Sequence, residues 1–299
     1  MLTSTLKEVQ LSNGETIAYR EREGGEEVIL LVHGNMTSSK HWDILMEAFP
    51  SEYKLYAIDM RGFGASSYKT PVTRIKDFSD DVKGLVDSLE LKNITLVGWS
   101  TGGVVSLQYT IDYPDDVKKI ILLASGSTRG YPFMTVNETG EWVRLATLDE
   151  VKKDATKSIP IQEAYAKGDK AFLKNIWDML IYTMNQPSEQ QYDEYLEDMM
   201  TQRNLTEVYQ ALNTFNISTV HNGLVEGSGE VEKIQKPVLI LAGDSDLVIT
   251  PDMTKEIKED LGDNGELVYL KGCGHSPLID DIQQLIYSMT TFLKKQGEQ

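Results

Sequence analysis

Ser100 stands in Gly98-Trp99-Ser100-Thr101-Gly102-Gly103, between an apolar run and a helix-like segment. A tight strand-to-helix turn strains its central residue and needs small neighbours on both sides. It holds the serine oxygen out at the carboxyl end of a sheet, where ligands bind in open α/β sheets. The N-terminus of the following helix favours developing negative charge. As a bare string, G-x-S-x-G arises by chance in roughly one protein in ten of this length, at ~7% usage of each residue. The strand before it and the helix after it make the signal specific.

A nucleophilic serine needs a base, and the base needs an orienting acid. Four histidines are available: His33, His41, His221 and His275. His275 lies in Gly272-Cys273-Gly274-His275-Ser276-Pro277, just after the strand-like Leu267–Leu270. A glycine-flanked loop at a strand's carboxyl end suits a reachable imidazole. Asp246 precedes it by 29 residues, in Gly243-Asp244-Ser245-Asp246 after the run Val238–Ala242. That is about one helix plus one strand, so adjacent strands can bring the two together. Asp244 is the competing acid; one step past the strand, it points to the other side of the sheet. His33 reads as positional, holding a loop through its ring nitrogens. His41, in a helix, and His221 read as packed or exposed.

An oxyanion needs backbone N–H donors. Thr101 supplies one at the helix start. Asn35, in His33-Gly34-Asn35, is expected to supply the second, because Gly34 lets the chain turn inward. The competing reading of Asn35 is a simple Asx-turn.

These residues must be positioned by something. Val28–Val32, Leu55–Ile58, Ile94–Gly98, Ile120–Ala124 and Val238–Ala242 are apolar on both faces, as central parallel strands are when helices cover both sides. Lys7–Leu11 and Thr16–Arg20 flank an Asn13-Gly14 turn and read as a hairpin. Asp77–Leu89, Gly102–Tyr113, Asp252–Leu261 and Ile282–Leu293 read as helices, the third with Thr250 as N-cap and Pro251 at N1. The alternation predicts a parallel sheet with crossover helices. It stops over 127–232, which has no strong strand run and several helical ones. There Ser188-x-x-Gln191 reads as a capping box leading into Tyr192, Tyr195, Leu196, Met199 and Met200. Ala171–Met184 is apolar more than halfway round and needs two neighbours, or a neighbour and a pocket.

The chain resembles the α/β-hydrolases that carry a cap domain. The resemblance rests on His33-Gly34, Asp59-x-Arg61-Gly62-x-Gly64-x-Ser66, Gly98-x-Ser100-x-Gly102-Gly103, Gly243-x-x-Asp246 and Gly274-His275, in the order Ser, Asp, His. It implies an eight-stranded, mostly parallel α/β sheet flanked by helices, built from 1–126 and 233–299, with a helical cap or lid at 127–232 inserted after the sixth strand. It implies Ser100 as nucleophile, His275 as base and Asp246 as orienter, with Asp59 and Arg61 structural. Pro251 follows Asp246 by five residues where family members often show four, which keeps Asp244 open. No acid lies between Ile120 and Gly130, which excludes the variant with its acid after the sixth strand. The stretch His33–Ser39 is similar to the corresponding loop of haloalkane dehalogenases, which use an aspartate nucleophile; Ser100 argues against dehalogenation and epoxide opening.

Composition narrows the rest. The 299 residues hold 29 basic and 46 acidic side chains, a net charge of −17. That argues against nucleic acid and against an anionic membrane surface. One cysteine, Cys273, forbids an intrachain disulfide. No run is long and apolar enough for a membrane span, and Met1–Glu8 does not read as a signal peptide, so a cytoplasmic location is expected. No phosphate loop, metal-ligand cluster or dinucleotide fingerprint appears, so neither cofactor nor metal is expected. Residues 127–232 hold 11 of the 25 aromatic residues and 5 of the 11 methionines, which suits an apolar pocket roof. They also hold 9 basic and 17 acidic residues, an outer solvated face that makes neutral substrates more expected than anionic ones. The expectation is a serine hydrolase of a small or medium, neutral and apolar carboxylic ester. Lactone opening, C–C hydrolysis and cofactor-free perhydrolysis use the same triad, and a non-enzymatic receptor is the alternative from another class.

Overall fold

The computed structural model describes residues 3–295. Strands β1 (Thr5–Gln10) and β2 (Thr16–Arg22) form the expected hairpin, but over the five-residue loop Leu11–Glu15 rather than a two-residue turn. Leu11 N–H donates to Glu15 O at 2.8 Å, and Gly14 takes φ +89°. Then come β3 (Glu27–Val32), α1 (Asp43–Ala48), β4 (Tyr53–Ile58), α2 (Ile75–Ser88), β5 (Ile94–Trp99), α3 (Thr101–Asp112) and β6 (Val117–Leu123). The chain closes with β9 (Val238–Gly243), α9 (Pro251–Leu261), β10 (Gly265–Leu270), α10 (Pro277–Asp280) and α11 (Ile282–Lys294).

Eight strands form one sheet in the order β1-β2-β4-β3-β5-β6-β9-β10. Only the pairs β1–β2 and β2–β4 are antiparallel. Side-chain alternation splits the core into two layers. Leu30, Val32, Ile94 and Leu96 face a layer with Phe78 and Leu85 of α2 and Val104 of α3. Ile29, Leu31, Val97 and Trp99 face a layer with Leu45 of α1 and Leu285 and Met289 of α11. β5 and β9 are buried at every position, as doubly covered strands are.

β6 and β9 are neighbours in the sheet, yet over a hundred residues separate them in sequence. That excursion carries helices α4 (Leu148–Lys153), α5 (Ser158–Lys167), α6 (Lys170–Leu180), α7 (Glu189–Met199) and α8 (Leu205–Asn213). It also carries a hairpin absent from the sequence reading, β7 (Met134–Val136) with β8 (Trp142–Arg144). Three-residue strands leave too little alternation to read. α6 stops short of Met184: both Ile181 and Tyr182 N–H donate to Trp177 O at 2.8 Å, so the helix ends in a wide, π-type turn. At α7 only half of the capping box forms. Ser188 Oγ accepts from Gln191 N, while the Gln191 amide donates to Tyr195 Oη at 3.0 Å.

The Asp59–Ser66 segment is a structural knot. Arg61 grips Asp81 with two hydrogen bonds, at 2.7 and 2.6 Å, and both side chains are buried. Asp59 accepts the N–H groups of Ser39 at 2.8 Å and Ala65 at 2.9 Å, and Ser66 Oγ donates to Asp59 O at 2.6 Å. Among the described residues no helix is long and apolar enough to cross a membrane. Removing one member of a buried ion pair strands the other charge. Arg61→Ala should lower unfolding free energy by about 3–5 kcal/mol, measured by urea denaturation.

Candidate active site

The serine turn is forced by backbone crowding. Ser100 adopts φ +54° and ψ −116° between the last residue of β5 and the first of α3. Such a conformation costs about 1–3 kcal/mol for a residue with a side chain. Its neighbours hold it there. A methyl on Gly98 would come within 2.2 Å of Gly102 O, and one on Gly102 within 2.0 Å of Val32 O. Ser100 N–H donates to Leu123 O at 2.9 Å, and its carbonyl accepts from Gly103 N at 3.0 Å. Strand, turn and helix are thereby locked as one piece.

His275 follows β10, and the loop after β9 delivers Asp246 to it. His275 Nδ1 lies 3.0 Å from Asp246 Oδ2, with both side chains almost wholly buried. The other carboxylate oxygen, Oδ1, accepts from Val248 N at 2.7 Å and Ile249 N at 2.9 Å. An acceptor at Nδ1 puts the ring proton there and leaves Nε2 as an acceptor. Asp244 turns away, accepting from Gly272 N at 3.0 Å. Trp99 Nε1–H donates to His275 O at 2.9 Å and ties the histidine loop to the strand before Ser100. A second brace is Asp280, which accepts from Gly274 N at 2.8 Å and from Asn185 N at 3.1 Å. Burial pushes the Asp280 carboxyl up to about 6. Among the described residues Ser100 Oγ makes no hydrogen bond, a looseness common before substrate arrives.

Asn35 and Thr101 line the same cavity as Ser100 and His275. Among the described residues neither backbone N–H has a protein acceptor. Asn35 forms no Asx-turn; its Oδ1 accepts from Gln202 Nε2 at 2.8 Å, a contact from the β6–β9 excursion. The loop bearing Asn35 is fixed by His33. Met60 N–H donates to His33 Nε2 at 3.0 Å, and His33 Nδ1 bonds Gly34 O at 2.7 Å, so both ring nitrogens are used. Full burial pushes this imidazole down to about 4. His41 belongs to a short 3-10 turn, Ser39–Trp42, rather than an α-helix. It stacks on Tyr195 at 4.2 Å, and its Nε2 lies 3.3 Å from Asp198 Oδ2 without hydrogen-bond geometry. His221 is exposed, its Nδ1 accepting from Gly223 N at 2.9 Å. Neither reaches the cavity.

The cavity has about 590 Å³, within the range of small-molecule sites. Phe172, Ile176, Trp177 and Leu180 of α6 form much of one wall, and Leu247 and Ile249 line it beside Asp246. The wide apolar face of α6 therefore meets a neighbour on one side and a pocket on the other. Lys157, which lines the cavity, and Gln202, which braces Asn35, are among the residues that escaped the sequence reading. Neither sits in a motif, and only the folded chain brings them near Ser100. Among the described residues no group of acidic, histidine or cysteine side chains is arranged to hold a metal ion.

A family model of the alpha/beta hydrolase fold matches residues 27–282, and the chain belongs to that family. Relatives carry diverse names. A 2-hydroxy-6-oxononadienedioate/2-hydroxy-6-oxononatrienedioate hydrolase from Pseudomonas sp. is 22% identical over 277 residues, covering 90% of this chain and 89% of that protein. A bifunctional esterase/perhydrolase from Acinetobacter calcoaceticus is 25% identical over 272 residues, 89% of this chain and 91% of its own. An esterase from Exiguobacterium antarcticum superposes with a TM-score of 0.73 at 18% identity, covering 99% of this chain and all of that one. At that identity the likeness is one of fold.

His33 gives a pH test with a definite sign. The folded state keeps it neutral down to about 4, whereas the unfolded chain takes up a proton below 6.5. Its contribution is therefore complete above 6.5 and is lost as pH falls toward 4. His33→Gln should show a shallower fall in Tm than wild type across that window, measured by thermal denaturation in matched buffers.

Proposed function

We propose that the protein is a serine hydrolase of small or medium carboxylic esters. One observation carries the reading. Ser100, on its positive-φ turn, opens into the same largely apolar cavity as His275, whose Nδ1 is held by Asp246 at 3.0 Å. In this reading His275 Nε2 takes the proton of Ser100 as Oγ attacks the ester carbonyl. The carbonyl oxygen gains charge and is held by the N–H groups of Asn35 and Thr101. His275 then protonates the departing alcohol, leaving an acyl-serine. Water, deprotonated by His275, attacks the acyl carbon and frees Ser100. Asp246 keeps the ring proton on Nδ1 and stabilises the imidazolium. Residues 127–232 act as a cap that shelters the acyl chain. The esterase names among the relatives and neighbours support the bond type.

A fluorophosphonate should label Ser100, and Ser100→Ala and His275→Ala should each lower kcat for a 4-nitrophenyl ester by about three orders of magnitude or more. Among 4-nitrophenyl esters of increasing acyl length, kcat/KM should peak at short or medium chains. A folded protein that takes no label and turns over no ester would instead be a binding member of the fold. Activity in Ser100→Ala near that of wild type would overturn the assignment of the nucleophile.

A further inference from the structure

Among the described residues, Lys157 is the one lysine, arginine or carboxylate side chain lining the cavity. It sits at the N-cap of α5, on the wall built by the β6–β9 excursion, while Ser100 and His275 lie in the turn after β5 and the loop after β10. Its ammonium donates to Met134 O at 2.8 Å and lies 5.0 Å from the centre of the Phe133 ring. An ammonium has three N–H donors, so two remain. Among the described residues no carboxylate reaches within ion-pair distance of it. The acid whose charge acts on it, Asp154, has its oxygens engaged elsewhere. Its oxygens accept from Thr135 Oγ1 at 2.6 Å, Thr156 Oγ1 at 2.9 Å, Lys157 N at 2.7 Å and Ser158 N at 3.2 Å.

Exposed lysines such as Lys69 and Lys92 also lack a carboxylate, but water solvates them, whereas Lys157 is half-buried. Lys170, also half-buried, collects two carboxylates, Asp193 and Glu197. Lys119 lacks an acid too, but it fills all three donors with the carbonyls of Phe292, Leu293 and Lys295. Among the described residues Lys157 is the one lysine that lines the cavity, and two of its three N–H donors have no acceptor. Burial pushes its pKa down and the Asp154 charge pulls it back up. A half-buried cation beside hydrocarbon is costly unless an anion joins it.

We infer that Lys157 receives a carboxylate at the far end of the acyl chain, so that the substrate is a monoester of a dicarboxylic acid. The inference rests on the serine-hydrolase reading and replaces the neutral substrate expected from the charge of residues 127–232 with an anionic one. The acyl carbon to alkoxy oxygen bond breaks, a bond to water oxygen forms, and the products are an alcohol, a dicarboxylate and one proton. A carboxylate fits better than a phosphate ester, because one ammonium with two free donors matches a single negative charge. The apolar walls would leave the second charge of a phosphate unsolvated.

The test uses monomethyl esters of straight-chain dicarboxylic acids from succinate to suberate. Each is paired with the neutral ester in which an amide replaces the free carboxylate. Rates are followed by pH-stat at low salt. Wild type should favour the best acid ester over its amide by about tenfold in kcat/KM, mostly through KM. Lys157→Met should bring the ratio near one, and Lys157→Arg should restore much of it. Equal loss on both esters, with the ratio kept, would mean that Lys157 only clips Met134 in place and would overturn the inference. Calorimetry on Ser100→Ala separates the two readings. Binding of monomethyl adipate that disappears in the Ser100→Ala, Lys157→Met double variant upholds the anion site even if no ester is turned over. Absence of binding, or binding indifferent to Lys157, sinks it.

Discussion

The approach of three backbone segments at one point governs this molecule. Gly98, Gly102 and the end of β3 lie so close that no Cβ fits at either glycine. That contact fixes where α3 starts relative to the sheet, and it imposes the positive φ of Ser100. The strain is stored locally and is offset by the buried strands β5, β3 and β6 around it. A helix begun one residue later would turn the serine side chain elsewhere and move the N–H of Thr101 from the cavity. Position, not serine chemistry alone, is what the turn provides.

The remaining polar groups of the site are held by loops that have no regular structure of their own. Each is anchored by a neighbouring side chain or backbone N–H group. His33 joins the loop after β3 to the loop after β4, Trp99 and Asp280 fasten the histidine loop, and Val248 and Ile249 hold Asp246 through their N–H groups. Gln202 and Asn185 extend that bracing into the β6–β9 excursion. Displacement of the excursion would therefore be felt at Asn35 and at the His275 loop together. The cavity wall and the loops that carry the donors form one mechanical unit.

What the sequence disclosed follows from how local each requirement is. The Ser100 turn was legible because Gly98 and Gly102 are within two residues of it. The separation of Asp246 from Asp244 followed from strand alternation, and the two side chains do go to different partners, His275 and Gly272. Both-face apolar runs marked the central strands, since burial on two sides leaves no polar alternation. The β7–β8 hairpin was illegible because three-residue strands barely alternate, and the early end of α6 because Trp177 O draws two N–H groups. Gln191 has the spacing of a capping box, yet Tyr195, one turn further along the same helix, takes its amide instead. Gln202 and Lys157 lie far from Ser100 in sequence, and nothing beside them marks their place.

Charge shows the same difference between a sum and a location. A net charge of −17 suggests that anions should be repelled. Most of those carboxylates are exposed, where salt screens them within about 8–10 Å. Among the described residues the one lysine, arginine or carboxylate side chain lining the cavity is Lys157, and the lone pairs of Asp154 behind it are taken by hydroxyl and N–H groups. A ligand bound there is desolvated and senses the ammonium with far less screening than it senses the outer surface. Global charge then bears on how fast an anion arrives, whereas the single lysine bears on whether it stays. The two effects have opposite signs, and salt separates them: added salt weakens the outer repulsion more than it weakens the buried pair.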